Sequence, residues 1–120
     1  MSNIKNRAGD FVQMFLMKHQ FNIVQRDYER YCGQIDLISE KGGDLHFFEI
    51  QCVSQETLKD HFESGRVISP KRMSEIEKTA QLFMREIGTA NYPWHIHLVF
   101  VVFLKNSNIP KLKITWDANL

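Results

Sequence analysis

The sequence predicts an α/β domain in which helices cover a mixed central sheet. Three features predict it: two amphipathic helical segments, a β-hairpin around a Gly-Gly turn, and a long apolar run rich in Val and Phe. An uninterrupted apolar run is typical of a strand covered on both faces, as parallel strands are. Helices interspersed with such strands favour a layered packing of helix on sheet. Since the chain has 120 residues, 43% of them hydrophobic, we expect one domain, residues 1–120, with one core.

The first half of the chain predicts a helix, a strand and a hairpin. Apolar residues recur at helical spacing over residues 4–19, which predicts an amphipathic helix. The segment FNIVQRDY, residues 21–28, predicts a strand, and residues 33–51 predict two strands joined by a tight turn. Residues 54–68 are polar and show no period, so we expect a loop there.

The second half begins with a well-marked helix. Ser69 suits the N-cap, Pro70 suits the first helical position, and Gly88 suits the end. Residues 94–104 then predict a buried strand, and alternation over residues 112–116 predicts a last strand. The order of elements therefore supports the layered α/β class.

Composition excludes several kinds of protein. The net charge is near +1, so no global field attracts the chain to nucleic acid, and any nucleic-acid site must be local. The longest apolar run, residues 98–104, is far shorter than the roughly 20 residues of a spanning helix. The N-terminus lacks an apolar leader core, so we expect no membrane partner and a cytoplasmic location. Cys32 and Cys52 lack CxxC partners, which predicts packing roles and no disulfide.

The hairpin carries one carboxylate on each strand. A two-residue Gly-Gly loop sets a register in which Asp36 faces Glu49 and Gln34 faces Gln51. A loop with an odd number of residues would move one acid to the other face. In the predicted register the four side chains form one polar patch, with the acid Cβ atoms roughly 5 Å apart.

Two facing carboxylates repel each other among apolar neighbours unless one is protonated or a cation lies between them. A hard divalent ion such as Mg²⁺ fits, because it takes oxygen ligands and is commonly held by one or two carboxylates. Asp36 and Glu49 are therefore candidate metal ligands. The alternative is that both are solvated at an exposed end of the sheet, or pair with Lys71 or Arg72.

An acid on one strand, a hairpin, then acid-x-lysine on the next strand is the signature of the PD-(D/E)xK nuclease superfamily, and the hairpin of this chain resembles it. More closely, the chain resembles the YraN-like family of restriction-endonuclease-fold proteins, predicted relatives of Holliday-junction resolvases. The resemblance rests on five motifs in order: GD at 9–10, GQIDLI at 33–38, FFEIQ at 47–51, SPKRM at 69–73 and WDAN at 116–119.

The resemblance implies a restriction-endonuclease-like three-layer α/β/α fold with a mixed central sheet. It also implies hydrolysis of DNA phosphodiesters, including branched or junction DNA, with Mg²⁺ or Mn²⁺ as cofactor. In that scheme Asp36 and Glu49 hold the metal, the carbonyl oxygen of Ile50 is a further ligand, and Asp10 is a third acid. A homodimer, in which two sites act on one junction, stays open.

The chain departs from the family pattern at several site positions. Gln51 stands where the family has lysine, Gln34 and Asp10 stand where it has glutamate, and His97 stands at a usual aspartate. Glutamine can orient water but carries no charge, and losing such a group typically costs on the order of 10²-fold in rate. Lys71 is a candidate substitute if the second helix begins beside the site. The prediction is a weakened nuclease; the alternatives are an inactive nuclease-fold DNA-binding module and a protein-interaction domain.

Two further groups of residues allow two interpretations each. His95 and His97 share a strand face at a spacing that can serve a metal, but hydrogen-bonded structural histidines are the commoner case. Lys71, Arg72 and Lys78 lie on or near the polar side of the second helix and are candidate phosphate contacts. Acidic residues interspersed with them favour an ordinary charged surface.

Overall fold

In residues 4–53 and 68–119, which the computed structural model of the chain describes, there are two helices and five strands. In chain order they are α1 (Ile4–Lys18), β1 (Asn22–Arg30), β2 (Gly33–Lys41), β3 (Asp44–Val53), α2 (Pro70–Glu86), β4 (Trp94–Val102) and β5 (Lys111–Thr115). The predicted elements are confirmed, with ends that differ by one or two residues. Apart from Ile68, the predicted loop over residues 54–68 lies outside the described residues.

The five described strands form one mixed sheet in the order β1-β2-β3-β4-β5. Neighbouring strands are antiparallel except β3 and β4, which are parallel. The connection between these two parallel strands includes α2, as a parallel pair requires a crossover. β4 is buried along most of its length, which agrees with its apolar sequence.

One helix packs on each face of the sheet, so the described residues form three α/β/α layers. On one face α1 buries apolar side chains against β2, β3 and β4: Ala8, Val12 and Leu16 join Leu37, Phe48 and Val99. On the other face α2 does the same: Ile76, Ala80 and Phe83 join Ile38, Phe47 and Ile96. The predicted three-layer fold with a mixed sheet is confirmed. Neither of the two described helices is long and apolar enough to cross a bilayer.

The turn of the hairpin is the predicted two-residue loop. Gly42 and Gly43 have φ angles of 62° and 89°, which glycine adopts without steric cost. Both positive angles match the type I′ turn that suits the twist of a hairpin. Lys41 pairs with Asp44 and Ile38 with Phe47, so the register inferred from the sequence is confirmed up to the last pair of the ladder, before Asp36 and Glu49.

The ladder between β2 and β3 stops before either strand ends. Its last pair is Leu37 with Phe48, although β2 starts at Gly33 and β3 continues to Val53. Beyond that pair, the main-chain N–H of Ile50 donates to Oδ2 of Asp36 at 2.7 Å. A side-chain carboxylate thus replaces a main-chain acceptor, and the two strands part around it.

Candidate functional site

Asp36 and Glu49 line one cavity where β2 and β3 part. The cavity is open to solvent and has a volume of about 620 Å³. Both acids are nevertheless buried, with 4% and 8% of their surface exposed. Lys5 and Arg72 line the same cavity. We call these four residues the paired-acid site.

Asp36 is held by three donors of different kinds. Oδ1 accepts from the Gln34 side-chain amide at 3.3 Å, and Oδ2 accepts from the Ile50 main chain. The ammonium of Lys5 lies 3.3 Å from the same Oδ2 and donates to the carbonyl oxygen of Ile50 at 2.8 Å. One cation therefore binds both the Asp36 carboxylate and the Ile50 carbonyl.

Glu49 is bound by the guanidinium of Arg72. Nε donates to Oε2 at 2.6 Å and Nη2 donates to Oε1 at 3.1 Å, which is a bidentate pair. Nη2 also donates to the Gln34 carbonyl at 2.8 Å, and Nη1 lies 3.5 Å from Glu75. Arg72 therefore links Glu49 to the main chain of β2.

The pKa of Glu49 is raised because burial disfavours its charged form, and the neighbouring carboxyl of Asp36 adds to this effect. The hydrogen bonds from Arg72 oppose the rise without cancelling it. A carboxyl that is reluctant to ionise beside a second acid, in a solvent-open cavity, is typical of functional sites.

The two cations approach from opposite faces of the sheet. Lys5 is in the first turn of α1 and Arg72 is in the first turn of α2. Ser69 caps α2 by accepting from the Arg72 N–H at 3.1 Å, and so fixes where that turn begins. The paired-acid site therefore depends on both helices as well as on the hairpin.

The sequence profile of the Uncharacterised protein family UPF0102 matches residues 8–103, which is most of the chain. The chain belongs to the UPF0102 family. This is the YraN family, whose fold is restriction-endonuclease-like, so the resemblance seen in the sequence motifs is confirmed. The matched residues include Asp36, Glu49 and Arg72, while Lys5 precedes them.

Several UPF0102 proteins are similar to the chain. A UPF0102 protein of Wolinella succinogenes is 32% identical over 87 residues, which cover 72% of this chain and 75% of that protein. One from Clostridium kluyveri is 23% identical over 116 residues, covering 97% and 93%. One from a Nitratiruptor species is 27% identical over 89 residues, covering 74% and 73%. These names state a family and no activity.

Not every predicted site residue of this UPF0102 chain reaches the cavity. Asp10 is exposed and accepts from Arg26 at 2.6 Å instead. Gln51 is half-buried and lies outside the described residues that line the cavity. Lys71 and Lys78 are exposed on α2. Gln34 does line the cavity. The catalytic roles expected for Asp10, Gln34 and Gln51, and the nucleic-acid contacts expected for Lys71 and Lys78, stay predictions.

The position of Lys5 was not predicted from the sequence. Of the two α2 residues that the sequence offered as partners of the acids, Lys71 and Arg72, Arg72 makes the contact. A signal for Lys5 was present, since Lys5 precedes the buried Ala8 by three residues and thus lies on the helix face that packs on the sheet.

The oxygen ligands of the site fit a divalent cation under one condition. In residues 4–53 and 68–119, no three His, Cys, Asp or Glu side chains are grouped to hold a metal ion. The available ligands are the two carboxylates and the Ile50 carbonyl, which suit Mg²⁺ or Mn²⁺. Oδ2 of Asp36 and the Ile50 oxygen already bind one cation, the Lys5 ammonium. A metal fits there if Lys5, which is 49% exposed, withdraws.

A second polar group of this UPF0102 chain, the histidine cluster of His46, His95 and His97, lies on the α1 face of β3 and β4. Asp117 donates its N–H to Nδ1 of His97 at 2.9 Å, so Nε2 of His97 carries the proton and faces Nδ1 of His46 at 2.8 Å. His95 lies between Asp44 and Asp117, at 2.8 and 2.7 Å. Hydrogen-bonded structural histidines, the second interpretation of the sequence, describe this cluster.

The three histidines respond differently to their surroundings. Burial lowers the pKa of His97 to about 4 and also lowers the pKa of His46. Hydrogen bonds from the imidazole to Asp44 and Asp117 raise the pKa of His95. At neutral pH the cluster therefore has neutral imidazoles inside and its most basic member between two carboxylates.

The remaining polar predictions concern cysteine. Cys32 and Cys52 are both free, as expected. Cys32 lies 3.5 Å from the Thr79 hydroxyl on the α2 face, whereas Cys52 packs against the α1 side of the sheet. The two thiols thus lie on opposite faces.

Proposed function

We propose that the chain is a divalent-metal-dependent nuclease that hydrolyses DNA phosphodiesters, with branched or junction DNA as its substrate class. The observation that carries the proposal is the paired-acid site. Two buried carboxylates, Asp36 and Glu49, share a solvent-open cavity, and the Lys5 ammonium that lines it binds both Asp36 and the Ile50 carbonyl oxygen. Membership of the UPF0102 family supports the same class of chemistry through the fold.

Bound Mg²⁺ or Mn²⁺ would polarise the scissile phosphate and lower the pKa of an attacking water. The residues of the chain prepare the place for it. The Ile50 N–H fixes the orientation of Asp36, and Arg72 fixes that of Glu49. Because both carboxylates are already ordered and largely desolvated, their own orientation needs little change, and the rearrangement that a metal requires is the withdrawal of Lys5.

We propose that the activity is weak because of Gln51. A glutamine at this position can accept from or donate to water, but it supplies no positive charge to the developing phosphorane. Gln51 is also not among the described residues that line the cavity. The positive charge near the developing phosphorane must then come from another residue or be absent.

The decisive test is cleavage of four-way-junction and flapped DNA in Mn²⁺ or Mg²⁺, with linear duplex as comparison. We expect slow cleavage by the wild-type protein and a loss of at least 10²-fold in Asp36→Asn, because the amide is a poor metal ligand. Asp27→Asn is the matched control: Asp27 is exposed, has a φ of 51° that asparagine tolerates, and is not a cavity residue.

The outcomes separate the classes of function. Cleavage that persists in Asp36→Asn at the wild-type rate would point to a contaminating nuclease and contradict the proposal. If neither metal supports any cleavage at high protein concentration, the nuclease proposal fails, and binding of the same DNAs then decides between the remaining functions.

The second candidate is a nuclease-fold DNA-binding module without activity. The observation that favours it is the charge balance: Lys5 pairs with Asp36 and Arg72 pairs with Glu49, so each acid has a cation from the chain itself. Such a module would bind junction DNA in the presence of EDTA, with salt-dependent affinity, and would not cleave it. A protein-interaction domain, in contrast, would bind none of these DNAs.

A further inference from the structure

Lys5 holds the oxygen pair that a metal would need. Its ammonium lies 2.8 Å from the Ile50 carbonyl oxygen and 3.3 Å from Oδ2 of Asp36. These are two of the three ligands that the proposed metal site offers. The Lys5 ammonium therefore lies at the position that a bound metal ion would take.

Other residues of the site are less able to supply positive charge. Gln51, at the motif position for lysine, is neutral, and Lys71 is exposed. Arg72 is charged, but both carboxylate oxygens of Glu49 and the Gln34 carbonyl occupy its donors. Among these residues, Lys5 alone is positively charged, lines the cavity and is free to move. Half of its side chain is exposed.

We infer that Lys5 takes the role of the missing motif lysine. On metal binding, its ammonium leaves Asp36 and the Ile50 carbonyl and contacts a phosphate of DNA instead. Without metal, the Lys5 ammonium neutralises Asp36 and holds the Ile50 carbonyl. When a divalent cation takes these oxygens, the ammonium is displaced into the cavity, where the nearest anion is the phosphate of bound DNA. The inference rests on the proposed metal-dependent function and names the residue that contacts the phosphate.

The physical argument is charge balance. Two cations cannot share one carboxylate oxygen and one carbonyl at these distances, because they repel each other in a partly buried site. The flexible stem of lysine allows its charged end to move while the stem stays packed along the helix. Anchoring of α1 through Ala8 and Val12 keeps the displaced ammonium within reach of the cavity.

The first measurement is a thermal-shift titration with Mn²⁺ on the wild type, Lys5→Met and the matched control Lys18→Met, an exposed lysine at the other end of the same helix. If Lys5 holds the oxygen pair about nine-tenths of the time, removing it increases the apparent Mn²⁺ affinity on the order of tenfold. We expect the Lys5→Met curve at correspondingly lower Mn²⁺ concentration and the Lys18→Met curve on that of the wild type.

The second measurement is the salt dependence of junction-DNA binding in Ca²⁺, followed by fluorescence anisotropy. Loss of one phosphate contact reduces the slope of log affinity against log salt by about 0.9. We expect this reduction in Lys5→Met and recovery of the wild-type slope in Lys5→Arg, which keeps the charge.

Each outcome bears on the inference. Equal Mn²⁺ affinity in the wild type and Lys5→Met overturns it, as does an unchanged salt slope in Lys5→Met. A wild-type protein whose midpoint does not respond to Mn²⁺ overturns the proposed function and the inference with it. If the wild-type midpoint responds to Mn²⁺ and the Lys5→Met midpoint responds identically, the inference about Lys5 is overturned and the proposed function is not.

Discussion

Each carboxylate of the paired-acid site has its own cation. Lys5 neutralises Asp36 from one helix, and Arg72 neutralises Glu49 from the other. Removing one partner of a buried pair leaves an uncompensated charge, at a cost of about 3–5 kcal/mol, and the cost is smaller for Lys5, because its side chain is 49% exposed and the pair is screened by solvent. The arrangement thus stabilises two acids that burial alone would make unfavourable, as the raised pKa of Glu49 shows.

The histidine cluster makes stability depend on pH in two opposite ways. His97, with its pKa lowered to about 4, favours the folded state above the unfolded value of about 6.5, and this contribution is lost as pH falls toward 4. His95, with a raised pKa, contributes below about 6.5, and its contribution is lost as pH rises through its folded-state value.

Substitution of each histidine by glutamine should reveal these signs. Relative to the wild type, we expect the loss of unfolding free energy in His97→Gln to be about 2 kcal/mol smaller at pH 5 than at pH 7.5. The reason is that in acid the wild type no longer benefits from a neutral His97. We expect His95→Gln to be more destabilising at pH 5 than at pH 8.5. Urea unfolding at each pH measures both, and the same pH trend in the two variants would contradict the assignment.

The first turn of α2 joins secondary structure to the site. The Ser69 hydroxyl accepts from the main-chain N–H of Arg72, while the side chain of Arg72 binds Glu49. The N-cap therefore orients the same residue that neutralises a site acid. A substitution of Ser69, which is itself exposed, should therefore affect how Arg72 is placed in the cavity.

Replacing the cap tests this link. Ser69→Ala should lower the free energy of unfolding by about 1 kcal/mol, whereas Ser69→Asn, which keeps a capping oxygen, should stay close to wild type. Chemical denaturation measures the difference. Equal loss in both variants would show that the cap bond does not stabilise the helix start.

The overall charge limits how the molecule can bind DNA. With a net charge near +1, attraction to phosphates depends on a few local cations. Arg72 is engaged by Glu49, so the exposed lysines of α2, Lys71 and Lys78, are the predicted nucleic-acid contacts together with Lys5. Three such contacts correspond to a salt slope of about −3.

The salt dependence of DNA binding measures this small number of phosphate contacts. In Lys71→Ala/Lys78→Ala we expect the slope for junction DNA to become shallower by about 2 and the affinity at low salt to fall, with the fold unchanged. Lys18→Ala, at the exposed end of α1, is the matched control and should keep the wild-type slope. An unchanged slope in the double variant would place the DNA on another surface.

Much of the architecture followed from the sequence because it depends on short-range rules. The Gly-Gly loop sets an even register, so the pairing from Lys41–Asp44 to Leu37–Phe48, which leads to Asp36 and Glu49 at the next position, could be worked out by counting. Helical periodicity and the Ser-Pro start placed α2 correctly. These features rest on residues that are neighbours along the chain or across one tight turn.

Only the tertiary structure decided how the acids are neutralised. The bond from Lys5 to Ile50 spans 45 residues, and the bond from Arg72 to Glu49 spans 23. No local pattern specifies such contacts, since they depend on how each helix is rotated and placed on its face of the sheet. The same packing left Lys71 in solvent and turned Arg72 inward, although the two are adjacent. The sequence by itself determined a hairpin with two facing acids; the packing of two helices supplied their cations, because a buried charge must find its partner in space.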